Sequence, residues 1–489
     1  MGRKLKNLTP WLLSLVASFS FIFYTLTTGE LGFPLDDAWI HQTYARNLIR
    51  YRQWAYIPGH PSAGSTSPLW TLLLSLAYLT GIDFKAWTFA LGIAFFGATA
   101  WAVGRLTTSL GWDEKTAFLT ACFCALEWHM VWASVSGMEI PLFTFLSLLS
   151  LTLFLGGWPF QGRSYLRMAA MGIILGLLCL VRPEGLLLGV LLFLASSYKS
   201  PLKALSFAGG MALCLAAYSA FNFHLSGNPF PNTFYAKAAE YRELVEKLPI
   251  WARFWRVVFP TFVGAQILLL PGFLVGAKKA LSSEGKAFKA IPLLWLLLHP
   301  LAYAFRLPVG YQHGRYAMPL IPILIALGVP GTIELWKRMP RLVTKAWAIS
   351  TPILLLAFLF LGAKAYATDV GIIQCEMVNV ARWISENTPP GSLIATHDIG
   401  AIGYFSGRDI LDLAGLVSPE VIPFIRDEKR LKEFILSRGA DYLVTFPSWY
   451  PELTKDPIFI PLYSTGCSLT LKAGSDNMVM YGVQKVPSK

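Results

Sequence analysis

Charged residues are scarce in this sequence. Lys, Arg, Asp and Glu make up 14% of its 489 residues, whereas a typical soluble domain has roughly 25%. Long apolar runs accompany this deficit, and the mean hydropathy is +0.51. These features exclude a soluble globular domain. The runs are continuous and rich in Leu, Ala, Ile and Phe, which excludes the short alternating strands of a membrane β-barrel and predicts spanning helices.

Two further patterns are missing from the sequence. The six cysteines form no paired CxxC motif, so no zinc site is indicated. Four of them lie in apolar runs and are expected to pack there, while Cys375 and Cys467 lie in a polar C-terminal region, where a disulfide and two free thiols both fit the sequence. The sequence also lacks the internal inverted repeat of many transporters.

The net charge of +13 does not indicate a nucleic-acid partner. Basic residues cluster between apolar runs, as the positive-inside rule expects of cytoplasmic loops. Arg3, Lys4 and Lys6 precede the first run, which no small-residue cleavage site follows, so the N-terminus is predicted to be cytoplasmic. About eleven spans are predicted, near residues 11–28, 87–105, 117–134, 140–157, 166–181, 184–197, 204–221, 254–277, 290–305, 317–335 and 347–367.

The apolar run at 66–82 is predicted not to span. All basic clusters fall on the cytoplasmic side only if one crossing separates the 29–65 loop from Arg105. The outward segments are then 29–65, 134–139, 182–184, 222–250, 306–316 and the tail. We therefore expect a transmembrane domain at 1–368 and an extracytoplasmic α/β domain at 369–489, with strands at 392–396 and 442–446 and helices at 377–387 and 428–437.

Acidic residues stand out in the outward segments. Asp36 and Asp37 precede an amphipathic helix predicted at 38–49 along the membrane surface, where a carboxylate is a general base or simply a helix cap. The turn-rich stretch 59–68, with His60 and Ser65, suits contact with an acceptor, although such stretches are commonly plain loops. Glu139 begins a span and is a cap or a second acidic site.

Cations and aromatic side chains occur in the same segments. Arg182 and Glu184 lie between two short spans, where charge indicates function or a local ion pair. Arg315 suits a phosphate. The alternative for Arg315, and for the polar and aromatic residues of the loops 228–237 and 313–316, is that they anchor the chain at the membrane interface. The candidate donor-binding residues are Arg182, Glu184, Asn232, Tyr235, Lys237, Arg315 and Tyr316.

Three other functions are alternatives to group transfer from a lipid phosphate. A transporter or flippase of a lipid-linked sugar shares the many spans but predicts more mid-span charge, and only Glu127 and His129 are clear examples. These two residues are also explained if they close a helix pair. A non-catalytic scaffold leaves the outward acids unexplained, and a lipid-phosphate hydrolase needs a cluster of His and acidic residues that the outward loops lack.

Several of these motifs resemble the C-type (GT-C) membrane glycosyltransferases. The stretch 36–48, followed by Pro-Gly at 58–59 and Gly-Ser-Thr-Ser-Pro-Leu-Trp at 64–70, resembles the first extracytoplasmic loop of that family. The likeness is nearest to the bacterial terminal arabinofuranosyltransferases, and more distant to protein O-mannosyltransferases and lipid A aminoarabinose transferase. Shorter motifs at 136–139, 182–185, 231–237, 314–316 and 398–404 extend it into the tail.

The resemblance implies an inverting enzyme in a bacterial or archaeal inner membrane. Its donor is a polyprenyl-phosphate sugar, its acceptor a glycan, lipid or protein, and its base Asp36 or Asp37. The family fold also has membrane-parallel helices in the first loop. Carboxylates at Asp36, Asp37 and Glu139 suit a Mg²⁺ or Mn²⁺ ion, which some relatives do without. His41-Gln42-Thr43 departs from the aliphatic or small residue followed by Arg in many relatives, which leaves the donor sugar open.

Overall fold

The structure is a computed structural model that describes residues 3–484 and the side chains of 8–484. The side chains of Arg3, Lys4 and Lys6, on which the predicted cytoplasmic N-terminus depends, lie outside this part. The helices are α1 (Arg3–Thr28), α2 (Asp36–Tyr51), α3 (Pro68–Thr80), α4 (Phe84–Ser109), α5 (Glu114–Ala125), α6 (Trp128–Ser134), α7 (Ile140–Leu155), α8 (Ser164–Val181), α9 (Gly185–Lys199), α10 (Pro201–Ser226), α11 (Asn232–Glu240), α12 (Arg242–Lys247), α13 (Ile250–Val258), α14 (Leu270–Ser282), α15 (Lys286–Lys289), α16 (Ile291–Arg306), α17 (Tyr311–Gly314), α18 (Ile321–Trp336), α19 (Arg341–Ile373), α20 (Asn379–Asn387), α21 (Gly400–Phe405), α22 (Glu428–Ser437) and α23 (Ser468–Lys472).

Apolar helices account for the membrane character of the chain. Among the described residues, 7 helices are long and apolar enough to cross a bilayer, or up to 9 if each of two bent helix pairs is one span. Helix α3 has 13 residues, fewer than the roughly 20 that cross a bilayer, in agreement with the expectation for 66–82. Helices α7 and α9, predicted as spans, are also short, so the count of eleven stays a prediction.

The chain forms two compact units. The helical unit contains the residues up to Tyr24, Thr88–Tyr218 and Leu244–Lys364, and the mixed unit contains Thr25–Trp87, Ser219–Glu243 and the residues from Ala365. The mixed unit therefore combines the first polar loop, the 219–243 segment and the tail. Helix α19 runs through the predicted domain boundary at 368, because its helical pattern continues beyond its apolar stretch.

Two sheets lie in the mixed unit. Strands β1 (Ala55–Ile57) and β2 (His60–Pro61) form a small antiparallel hairpin. The tail contains a five-stranded sheet in the order β4-β3-β5-β7-β6. Its strands are β3 (Leu393–Thr396), β4 (Asp409–Asp412), β5 (Tyr442–Thr445), β6 (Phe459–Ser464) and β7 (Val479–Val483).

The five-stranded sheet has a parallel half and an antiparallel half. Strand β3 pairs in parallel with β4 and β5, whereas β7 pairs antiparallel with β5 and β6. Apolar residues of the strands and of α22, among them Leu431, Ile435 and Leu443, are fully buried in one cluster. Burial of such side chains contributes about 1.5–3 kcal/mol each, which explains why this sheet forms. The carboxyl ends of β3, β4 and β5 share one edge, where ligands commonly bind in parallel sheets.

Three of the four elements predicted in the tail match the structure closely. Helix α22 has the predicted bounds, and β3 and β5 each differ from theirs by one residue. The helix predicted at 377–387 instead continues from α19 through a π-helical stretch, Gln374–Val378. Cys375 and Cys467 form a disulfide, which settles between the two alternatives that the sequence left open.

Candidate functional site

The first-loop acids lie at the start of α2, but Asp36 does not cap its own helix. Helix α2 has no side-chain cap. The Asp36 carboxylate instead accepts hydrogen bonds from two backbone N–H groups of the tail, Gly400 to Oδ2 and Ala401 to Oδ1, each at 2.7 Å. It therefore satisfies two N–H donors that the first turn of α21 leaves without an intrahelical partner. The sequence alternative that Asp36 caps a helix is correct, but the helix that it caps is α21 and not α2.

Glycine at position 400 is required for this contact. A Cβ atom there would lie 2.0 Å from the Asp36 carbonyl oxygen and 2.6 Å from Oδ2. On the same α21, the Tyr404 carbonyl accepts a hydrogen bond from Arg46 Nη1 at 2.8 Å, and the Arg46 guanidinium lies 4.4 Å from the centre of the Tyr404 ring. The first loop and the 398–404 motif are thus joined at several points.

Burial shifts the acidity of the carboxyl groups in this cluster. It raises the pKa of Asp36 to about 6, against the lowering effect of the two N–H donors. Burial, followed by the charges of Asp36 and Asp37, raises the pKa of Asp398 well above its usual range. The buried Asp398 Oδ2 has no hydrogen-bond partner among the described residues. Burial therefore favours the neutral form of both carboxyl groups, and it does so more strongly at Asp398 than at Asp36.

His397 follows β3 directly and is surrounded by charge. Its Nδ1 lies 2.9 Å from the Tyr450 hydroxyl, which comes just after β5. Burial is the main cause that lowers the pKa of His397, and four charged groups also act on it. Those groups are Glu240, Arg426, Asp37 and Lys237. We define the acid cluster as Asp36, Asp37, Asp398 and His397.

The other candidates in the mixed unit support its loops. Ser65 Oγ lies 3.1 Å from Thr71 Oγ1, and Asn232 Nδ2 donates to the Leu416 carbonyl at 3.2 Å. His60 lies in the exposed hairpin strand β2. Tyr235 packs edge-on against the Phe234 ring at 5.5 Å. Among the remaining candidates, Lys237 acts on the acid cluster, because its charge is one of those that act on His397.

The helical unit contains a second buried polar cluster. Arg182 Nε donates to Glu139 Oε1 at 2.7 Å, and both side chains are more than nine-tenths buried. The structure does not show the alternative of a local ion pair within 182–184, because Arg182 pairs with a residue 43 positions away. Arg182 Nη1 is buried without a hydrogen-bond partner among the described residues.

Arg315 and two tyrosines complete this second cluster. Arg315 Nη2 donates to the Tyr316 hydroxyl at 3.0 Å, and the Tyr316 ring also lies 5.4 Å from the Arg182 guanidinium. The Tyr303 ring packs against the Tyr316 ring in a tilted arrangement with centres 4.9 Å apart, and the charge of Glu184 acts on both Tyr303 and Arg182. We define the guanidinium cluster as Glu139, Arg182, Glu184, Tyr303, Arg315 and Tyr316. It brings together five predicted residues from three separate segments.

Solved structures similar to this chain are membrane glycosyltransferases. The oligosaccharyltransferase of Archaeoglobus fulgidus, crystallised with Zn and sulfate, matches with a TM-score of 0.59 at 12% identity, over 89% of this chain and 68% of its own. ArnT, the aminoarabinose transferase of Cupriavidus metallidurans, matches with a TM-score of 0.57 at 14% identity over 98% of both chains. This chain has the GT-C fold.

Another GT-C structure matches over a smaller share of its length. Arabinofuranosyltransferase AftD from mycobacteria matches with a TM-score of 0.51 at 15% identity, over 99% of this chain and 40% of that one. A family described as a domain of unknown function, DUF8728, matches residues 364–481, which is the tail of the mixed unit. No curated protein sequence matches this GT-C chain.

Ligands lie in two of these GT-C structures. ArnT was solved with undecaprenyl phosphate, and the archaeal oligosaccharyltransferase AglB was solved with an inhibitory peptide and a dolichol-phosphate, matching here with a TM-score of 0.57. Both lipids carry a phosphate on a long polyprenyl chain. At these low identities the likeness shows the GT-C fold alone.

A metal site in this GT-C chain is a separate question. Among the described residues, the one group of three ligand-type side chains close enough for one ion is Cys375, Glu376 and Cys467. Its thiols are joined in the disulfide, and Glu376 accepts hydrogen bonds from Asn477 Nδ2 and Met478 N at 2.8 and 2.9 Å. This group therefore links the 375–376 segment to the 467–478 segment through a disulfide and hydrogen bonds. A divalent cation on Asp36, Asp37 or Glu139 stays a prediction.

Sequence reasoning missed part of the acid cluster and two charged residues that act on His397. His397, Glu240 and Arg426 were not singled out, and Asp398 appeared only as the first residue of a resembling motif. The signal available for His397 and Asp398 was their position directly after a predicted strand, where parallel sheets carry functional side chains. Glu240 and Arg426 lie in ordinary helical and loop sequence, and only the folded chain pairs them, at 3.1 Å.

Proposed function

We propose that this protein is an inverting glycosyltransferase that moves a sugar from a polyprenyl-phosphate donor to an acceptor hydroxyl. The observation that carries the proposal is the half-buried first-loop carboxylate of Asp36, oriented by two N–H donors in a chain with the GT-C fold. A base needs a defined direction and a pKa near the working pH, and Asp36 has both.

The guanidinium cluster is the proposed site for the donor phosphate. Arg182 and Arg315 are 6% and 5% exposed, and buried guanidinium groups bind phosphate strongly because no water competes. Arg182 Nη1 offers a donor that no described residue uses. Glu139 and Glu184 balance the two positive charges, so the cluster tolerates burial before a lipid binds. Tyr316 supports both arginines, and Lys237 remains a further candidate phosphate ligand in the mixed unit.

The acid cluster is the proposed site of acceptor activation. Asp36, aided by Asp37, takes the proton of the acceptor hydroxyl, and the oxygen forms a bond to the anomeric carbon of the donor. The bond from that carbon to the phosphate oxygen breaks, and the configuration inverts. The phosphate leaves with the bonding electron pair, and Arg182 and Arg315 stabilise its growing charge. A polyprenyl phosphate is a good leaving group without a general acid.

The tail disulfide supports an extracytoplasmic site. Disulfides persist in oxidising compartments and are rare in the cytoplasm. The bond between Cys375 and Cys467 therefore favours an outer location for the tail. Together with the basic clusters, this supports about eleven spans with a cytoplasmic N-terminus in a bacterial or archaeal inner membrane. The acceptor is then a glycan, lipid or protein at the outer face.

Radiolabelled polyprenyl-phosphate monosaccharides test this function directly. The protein in nanodiscs is incubated with each donor and with a crude envelope acceptor, beside Asp36→Asn and Asp37→Asn. We expect transfer by the wild type and its loss in Asp36→Asn with donor binding retained. Binding without transfer by the wild type, together with lipid movement between leaflets, would favour the flippase alternative. Full transfer by both variants contradicts the proposed base.

A further inference from the structure

A buried acid and a buried histidine lie where two apolar helices break. Helices α5 and α6 meet at a 60° bend, and Glu127 and His129 lie at this bend with 1% and 0% exposure. Glu127 Oε2 caps α6 by accepting from Met130 N at 2.9 Å, and Oε1 lies 2.6 Å from His129 Nδ1. An acid and a histidine buried among apolar helices are costly, and their position indicates a role beyond closing two helices.

The second nitrogen of His129 reaches another break in the helical unit. His129 Nε2 lies 3.1 Å from the carbonyl oxygen of Pro260, which can only accept, so Nε2 is the donor. Pro260 belongs to the segment between α13 and α14, which bends by 104°. Glu127 orients the imidazole, and the imidazole holds Pro260.

Pro260 in turn packs on the turn before Arg315. A Cβ atom on Gly310 would lie 2.9 Å from Pro260 Cγ, and one on Gly314 would lie 2.8 Å from Pro260 Cβ. The Pro260 ring therefore lies against both ends of the 310–314 turn.

Backbone strain is concentrated inside this turn. Gln312 and His313 both have left-handed backbone, with φ of 45° and 60°. The His313 ring contacts the rings of Trp128 and Trp132, with centres 5.2 and 5.5 Å apart. Two consecutive non-glycine residues in this conformation persist only where their surroundings enforce it.

We propose that Glu127, His129 and Pro260 form a positioning brace. The brace holds the 310–314 turn and thereby orients the Arg315 guanidinium towards the donor phosphate. The inference rests on the phosphate role proposed for Arg315. The three residues of the brace do not contact a substrate. They orient Arg315 indirectly, through the contact between Pro260 and Gly314. It explains a buried Glu-His pair that sugar transfer itself does not use, and it assigns a purpose to the strained turn.

Binding of undecaprenyl phosphate tests the brace. The Kd of wild type, His129→Phe, His129→Gln and Glu127→Gln is measured in nanodiscs, with His224→Phe on the exposed end of α10 as a matched control. We expect His129→Phe to raise the Kd about tenfold, because a buried hydrogen bond to Pro260 is lost. His129→Gln keeps an N–H donor and recovers part of the affinity. The control binds as the wild type does.

Kinetics separate positioning from general destabilisation. A positioning role raises the KM for the donor in His129→Phe and leaves kcat at saturation near the wild-type value. A fall in kcat and melting temperature with unchanged Kd would mean a merely structural role and overturn the inference. If His129→Phe does not fold, His129→Gln and Glu127→Gln decide in the same assay.

Arg315→Gln distinguishes failure of the brace from failure of the proposed function. Weak binding by Arg315→Gln with wild-type binding by every His129 and Glu127 variant overturns the brace and leaves the phosphate role standing. Wild-type binding by Arg315→Gln removes the phosphate role, and the brace with it. Weak binding by Arg315→Gln and His129→Phe, with recovery in His129→Gln, supports both.

Discussion

The two polar clusters of this protein hold charge by different means. In the mixed unit, carboxylates accept backbone N–H groups, Gly400 and Ala401 for Asp36 and Ala414 and Val417 for Asp412. In the guanidinium cluster of the helical unit, charge is held by opposite side chains, as Arg182 is by Glu139. The difference follows from the backbone, because spanning helices use their N–H groups internally, whereas loops and helix starts leave them available.

This difference predicts different weaknesses. The acid cluster depends on backbone shape, so small changes in glycine or helix position should alter it. The guanidinium cluster depends on charge balance, so removal of one partner leaves a buried charge. The predictions that follow test this contrast, from the largest expected effect to the smallest.

Asp36→Asn should produce the largest effect, on the chemical step alone. The amide cannot take a proton from the acceptor, so we expect kcat to fall about 10²–10⁴-fold. Donor affinity should stay within about twofold of wild type, because Asp36 does not contribute to the guanidinium cluster. Single-turnover transfer and lipid binding measured on the same preparation check both parts. Loss of donor affinity in this variant would contradict the proposal that the acid cluster activates the acceptor while the guanidinium cluster binds the donor phosphate.

Arg182→Met should destabilise the helical unit. It leaves the Glu139 carboxylate buried beside an apolar group, which costs about 3–5 kcal/mol. The double variant Glu139→Met with Arg182→Met removes both charges and should recover most of the melting temperature without recovering donor binding. Thermal unfolding of the three proteins in nanodiscs checks this. A double variant as unstable as the single one would show that charge balance is not what matters there.

Gly400→Ala should disturb the acid cluster through shape alone. The new Cβ meets Asp36 at 2.0 Å, so α21 must shift and weaken the N–H contacts, at a cost of about 1–3 kcal/mol. Gly29→Ala is the matched control in the same unit, because nothing lies within 4 Å of its Cβ position. Melting temperature and transfer rate are measured for both. Equal values for the two variants would contradict the role assigned to position 400.

The pH dependence of transfer should report Asp36. Its pKa is raised to about 6 by burial, and the ionised form is the active base, so kcat/KM should fall as the pH drops through about 6. Gly400→Ala weakens hydrogen bonds that lower this pKa, so its acidic limb should move to higher pH. A pH–rate profile of both proteins checks the direction. An unchanged limb in the variant would mean that another group titrates.

Local sequence patterns predicted individual elements well. Apolar runs identified the membrane class, and the tail patterns located α22 and the parallel strands. Helix α2 extends the predicted 38–49 by two residues at each end. Such features depend on periodicity within a few residues. Five of the six residues of the guanidinium cluster were also singled out from the sequence, because charge between apolar spans is conspicuous.

Pairing over long distances was beyond the sequence. Nothing in the first loop indicates that Asp36 accepts N–H groups 364 and 365 residues away. Glu139 looked like a cap, yet its side chain forms no cap hydrogen bond and instead pairs with Arg182. His397 was missed because its one sequence signal, its position directly after a predicted strand, does not identify the residues that the fold brings against it. The DUF8728 match covers the tail, but the contacts that tie the tail to the first loop come from the fold.

Undecaprenyl phosphate affinity and transfer rate, measured together on Asp36→Asn and Arg315→Gln, test the central claim most directly. The account predicts that Asp36→Asn binds the lipid as wild type does but transfers no sugar above about 1% of the wild-type rate. It also predicts that Arg315→Gln binds the lipid at least about tenfold more weakly. Wild-type lipid affinity in Arg315→Gln, or undiminished transfer by Asp36→Asn, would contradict it.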